Sequence, residues 1–103
     1  MKKATGKVIK AFRQHLNYTQ EFVAKKLNVT VETLANIENG RVSVDIERLQ
    51  ELSFIFQVPL KDMVILASEV FANGNEKGLT TAVEYIRNAH PETNADEQRA
   101  LTA

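Results

Sequence analysis

The sequence predicts an all-α fold. Three observations carry this: apolar residues recur at helical spacing along most of the chain, capping residues stand just ahead of those stretches, and strand-like alternation is scarce. At 103 residues and 44% hydrophobic, the chain suits a globular domain with one modest core.

The elements read in order. Val8, Ile9, Phe12 and Leu16 share one face of a first helix, and Asn17-Tyr18 breaks it. Thr19 is an N-cap candidate, since its hydroxyl can accept from an orphan amide of the next turn. Phe22, Val23 and Leu27 form the apolar side of a short second helix. Asn28 follows, a residue that tolerates left-handed backbone, so a turn is expected there. Thr30 caps a third helix whose buried side is Leu34 and Ile37, and Asn39-Gly40 ends it. Asp45 caps a fourth helix carrying Ile46, Leu49, Leu52 and Phe56. Pro59 opens a fifth from about residue 60 to 72, apolar over more than one stripe and so expected to be buried on two sides. Asn73-Gly74-Asn75 is a break, and a sixth helix is expected from about 79 to 89, closed by Pro91. Residues 92–103 are polar and expected to fray. The chain therefore divides at about residue 72, with 73–103 as a C-terminal helix and tail.

Composition narrows the function. The absence of cysteine excludes disulfides, thiolate metal sites and cysteine nucleophiles. His15 and His90 are the only histidines, and neither has the spacing of a metal site. There is no Gly-rich phosphate loop and no supported carboxylate pair, so neither an enzyme nor a cofactor is expected. His15, near the end of the first helix, reads as a partner for the helix dipole. No apolar run is long enough to span a membrane or follows the basic start as a signal peptide would, so a cytoplasmic protein is expected. Formal net charge is zero, but its distribution is uneven. Residues 1–41 hold eight basic and three acidic residues, 8 − 3 = +5; residues 42–103 hold five and ten, 5 − 10 = −5. A basic front and an acidic back suit a nucleic-acid binder.

The second and third helices with their short turn fit a helix-turn-helix at about residues 19–38. Ala24 lies where the two backbones approach, and Val23, Leu27, Val29, Leu34 and Ile37 occupy the positions that face the core. The stretch from Tyr18 to Gly40 resembles the phage Cro and lambda-repressor family, also called the xenobiotic-response-element family of bacterial regulators. Thr19-Gln20-Glu21, Val23-Ala24 and Ile37-Glu38-Asn39-Gly40 resemble its motifs, as do Ile46, Leu49, Leu52, Phe56 and Val58-Pro59-Leu60 farther on. The match covers about residues 6–66. It implies a five-helix lambda-repressor-like DNA-binding domain, here with an additional C-terminal helix, acting on double-stranded DNA. Two residues depart from the pattern: Asn28 stands where the family commonly has Gly, and Val31-Glu32 opens the recognition helix where Gln, Ser, Arg or Lys is frequent.

Carried over residue by residue, the resemblance assigns Thr19, Gln20, Asn39 and Arg41 to phosphates, with Lys7 or Lys10 from the first helix. The helix start behind Thr30 adds backbone amides favourable to phosphate. Val31, Glu32, Thr33 and Asn36 are the candidates for base edges, because they point outward when Leu34 and Ile37 point in. Gln20 has an alternative role as a cap or solvated side chain, and Glu32 as a solvated or internally bonded one. Glu38 reads as structural, bonding near the following turn. A homodimer reading two half-sites is the usual solution for so small a module. The helix after Gly74, with Tyr85 beside Val83 and Ile86, either supplies the dimer surface or packs back on its own domain, and Phe71 could serve either role. An antitoxin, with residues 68–103 holding a toxin, is the alternative function, as is a protein-interaction module on the same fold. Regulation by repression is the simplest outcome.

Overall fold

The computed structural model describes residues 1–74 and, beyond them, Thr80, Glu84, Tyr85 and Asn88. Five α-helices appear in the order α1 Lys2–His15, α2 Gln20–Leu27, α3 Val31–Glu38, α4 Ile46–Phe56 and α5 Leu60–Asn73, with no strand among the described residues.

Local chemistry sets the helix starts. Thr19, Thr30 and Asp45 sit in extended backbone, and their side-chain oxygens accept from the amides of Phe22 (3.0 Å), Thr33 (3.1 Å) and Arg48 (2.8 Å). Each such cap contributes about 1 kcal/mol. Left-handed residues set three of the stops: Asn17 (φ 61°), Asn28 (φ 61°) and Gln57 (φ 59°). Asn28 thus adopts the backbone that the turn between α2 and α3 demands, and the Val29 amide closes the end of α2 by donating to the Ala24 carbonyl at 2.9 Å. Gly40, at φ 73°, ends the turn after α3.

The core lies between α1 and the other four helices. Phe12 and Phe56 stack at its centre, rings 5.6 Å apart and 13° from parallel. Around them Val8, Ile9, Val23, Ala24, Leu34, Leu52, Met63 and Val70 are buried almost completely. Ala24 and Leu27 of α2 and Leu34 and Ile37 of α3 face inward as the spacing requires. Burial of such aliphatic side chains supplies roughly 1.5–3 kcal/mol each, the main favourable term.

Three expectations are corrected. Phe22 is exposed, turned away from the core and packed against the Tyr18 ring at 4.8 Å, with the Lys26 ammonium 5.6 Å from its centroid. Ile46 is 63% exposed, because the buried side of α4 runs through Leu49, Leu52, Ser53 and Phe56. Val29, in the turn, is half-buried but packs against the core as expected. α5 buries one stripe, Met63, Leu66, Ala67 and Val70, and leaves Val64, Ile65 and Phe71 exposed.

The expected sixth helix lies outside the described residues except for Thr80, Glu84, Tyr85 and Asn88, each of which is helical. Residues 92–103 lie outside them as well. Tyr85 packs on its own domain. Its ring meets Phe12 edge-on at 6.4 Å, and its hydroxyl donates to the Asp62 carboxylate of α5. Burial, reinforced by the hydrogen bond and charge of Asp62, pushes the phenol up to about 12.

Candidate nucleic-acid interface

The candidate residues stand at two capped helix starts and in the loop after α3. Thr19 caps α2 and is exposed, and Gln20 beside it is half-buried. Thr30 caps α3, placing Val31 and Glu32 in its first turn. Both side chains are exposed, Val31 by 38%. Thr33 and Asn36 lie half-buried on the flank of the same helix, whose opposite side is Leu34 and Ile37. Val31, Glu32, Thr33 and Asn36 therefore share the outer part of one short helix, as their spacing requires.

Hydrogen bonds refine what each can do. Thr30 Oγ1 accepts from the Thr33 amide and donates to Thr33 Oγ1 at 2.9 Å. The Thr33 hydroxyl thus accepts one bond already, and it keeps its proton and one lone pair for an outside group. The Asn36 carbonyl accepts the Arg41 amide at 3.0 Å, which folds the loop back on α3 and leaves Asn39 and Arg41 exposed at its end. Gly40 is pressed against α1: a Cβ there would stand 2.6 Å from Lys3 Cγ. This contact sets the start of α1, with Lys2 and Lys3, beside the loop that carries Arg41. Lys10 is exposed on α1 and Lys7 half-buried.

The surface is electrostatically open to an anion. Of the basic residues up to Arg41, only Arg13 forms an ion pair with a described residue. Glu32 is the acidic exception on α3, an exposed carboxylate in the first turn of the helix.

Glu38 is structural, as its sequence context indicates, but its partners lie elsewhere than the following turn. Its carboxylate is buried and accepts from Arg13 Nε at 2.7 Å, Arg13 Nη2 at 3.1 Å and Gln20 Nε2 at 3.1 Å. Gln20 is therefore bonded inward at one amide proton, neither a cap nor merely solvated. The Arg13–Glu38 pair is not legible in the sequence, because 25 positions separate the partners. The only hint is an acid near the end of a helix otherwise assigned to the interface.

Among the described residues no group of His, Cys, Asp and Glu could hold a metal ion, and no helix is long and apolar enough to cross a membrane.

Residues 9–63, more than half of the chain, match the Helix-turn-helix family. A protein of Archaeoglobus fulgidus named as an uncharacterized HTH-type transcriptional regulator is 31% identical over 61 residues, covering 59% of this chain and 86% of that protein. The crystal structure of ClgR, a clp gene regulator from Corynebacterium glutamicum, superposes with a TM-score of 0.68 at 22% identity, over 87% of this chain and 94% of that one. At that identity the likeness is one of fold alone. From the matched span and the relative, the chain belongs to the helix-turn-helix family of the Cro and lambda-repressor type, a family of DNA-binding transcriptional regulators rather than enzymes.

Proposed function

We propose that this protein is a sequence-specific transcriptional repressor that sets α3 in the major groove of double-stranded DNA and works as a cytoplasmic homodimer. The observation that supports the reading is the outer side of α3: Val31 and Glu32 are exposed and Thr33 and Asn36 half-buried on a capped helix whose Leu34 and Ile37 lie in the core. Thr19, Gln20, Asn39 and Arg41 hold phosphates, with Lys7 or Lys10 beside them and the α3 amides behind Thr30 contributing. Such contacts fix register and carry no base information. Base edges fall to the α3 residues. Asn36 suits adenine, Glu32 accepts from a cytosine amino group, and Val31 offers an apolar surface to a thymine methyl. Two half-sites about 34 Å apart would be read by the two copies. Occupying a promoter in this way excludes other proteins from it, so repression needs no further activity.

Salt dependence tests the reading. A labelled pool of duplexes should bind at low salt, with log affinity falling steeply and linearly against log salt as counterions are released. Absence of binding to every duplex at low salt would remove it.

A second reading is favoured by one observation. Ile65 and Phe71 are 52% and 65% exposed on the outward side of α5, which suits a protein partner, such as the toxin of a toxin–antitoxin pair. A small basic protein that copurifies at fixed stoichiometry would support it.

A further inference from the structure

Gln20 is held from behind by a buried charge pair. Its Nε2 donates to Glu38 Oε1, an oxygen that also accepts from Arg13 Nη2 at the same 3.1 Å. Glu38 Oε2 takes Arg13 Nε at 2.7 Å, and Arg13 Nη1 reaches the Tyr18 carbonyl, just ahead of the α2 cap, at 3.1 Å. The Glu38 side chain is 1% exposed and that of Arg13 11%. One buried unit thus joins α1, the end of α3, the turn before α2 and the first residue of α2.

A buried carboxylate needs partners, and the two parallel bonds from Arg13 already supply them. Gln20 is not needed to neutralise Glu38. The relation runs the other way: a long, rotamer-rich side chain at the edge of the interface is fixed in one orientation by a group that cannot itself move. Gln carries two amide protons, and Glu38 takes one. The second, with Oε1, remains for a group outside. Because Arg13 offsets the charge of Glu38, the carboxylate can stand behind the interface without repelling DNA.

Resting on the DNA-binding reading above, we infer that Glu38, locked by Arg13, is a positioning residue: it holds the Gln20 amide so that the second N–H meets a DNA phosphate. The contact is preorganised, which removes the ordering cost that a free glutamine would bring to binding.

Nuclear magnetic resonance of the Gln20 side-chain amide in the full chain tests this, free and with a duplex selected from a random pool. In the free protein one Gln20 proton is protected from exchange relative to those of exposed Gln14 and Gln57, and the duplex shifts the other. Two protons that exchange like those of Gln14, or release of the Glu38-bonded proton on binding, overturn the inference. A second measurement replaces single phosphates of the duplex by methylphosphonate. Wild type loses about tenfold or more at one phosphate per half-site, as for a lost bond to a charged group. Gln20→Ala is insensitive at that phosphate, and so is the double variant R13M/E38L, in which apolar groups replace the pair as a unit. A folded R13M/E38L with wild-type sensitivity there sinks the positioning role alone; a wild-type chain that binds no duplex sinks the DNA reading along with it. Should R13M/E38L not fold, the amide measurement on the unmodified chain decides.

Discussion

Gly6 and Ile37 meet backbone to backbone: a Cβ on Gly6 would stand 2.4 Å from the Ile37 carbonyl oxygen and 2.6 Å from that of Glu38. α1 therefore lies directly on the C-terminal end of α3. Gly6→Ala gains up to about 1 kcal/mol of helix propensity. It also forces a methyl into main-chain atoms that cannot turn aside, and overpacking of this kind costs roughly 1–3 kcal/mol. Urea unfolding should show a net loss of stability. A variant as stable as wild type would mean that α1 and α3 are not held this closely.

The turn between α2 and α3 depends on Asn28 at φ 61°. A β-branched residue is strained there, so Asn28→Val should cost about 1–2 kcal/mol. Asn28→Gly should hold or raise the unfolding temperature, since glycine enters this region without strain. Equal stability of the Val and Gly variants would contradict the assigned backbone.

Tyr85 ties its segment to Phe12 and Asp62 through a phenol raised from its ordinary 10.0 to about 12. A raised folded-state value means that this contribution is complete below pH 10 and is lost as pH climbs from 10 toward 12. Ultraviolet titration should show a late tyrosine step, and Tyr85→Phe should remove that step along with its share of the alkaline loss of stability. A Tyr85 step at its ordinary value of 10.0 would show that the contact does not persist in solution.

Glu32 should restrain binding as well as select. Glu32→Gln removes a carboxylate from the exposed first turn of α3. Affinity for unrelated duplexes at low salt should rise several-fold, as expected when like charge near phosphate is deleted. Preference for cytosine at one position of each half-site should weaken, because Gln pairs best with adenine. Unchanged affinity and preference would place Glu32 outside the interface.

Much of this architecture is legible in the sequence, and the reason is range. Thr19, Thr30 and Asp45 bond amides three residues away, so their role is written within one turn. Ala24, Leu34 and Ile37 follow from spacing within a unit whose two helices are adjacent in the chain. Phe22 and Ile46 misled because periodicity marks an apolar side without saying where the neighbouring helices lie. Gly6 and the Arg13–Glu38 pair depend on how α1 crosses α3, a tertiary fact with no local signature. The outer face of α3 could be read residue by residue, but the inward bond of Gln20 and the bond between the Thr30 and Thr33 hydroxyls could not.

The most direct measurement is selection of bound sequences from a random duplex library, with the wild-type chain and Asn36→Ala side by side. With α3 in the major groove, wild type enriches a motif of two half-sites spaced by about one helical turn. Asn36→Ala should enrich the same motif with its preference relaxed at one adenine of each half-site. A wild-type pool with no enriched motif, or an identical motif from both proteins, would contradict the assignment of base reading to this face of α3.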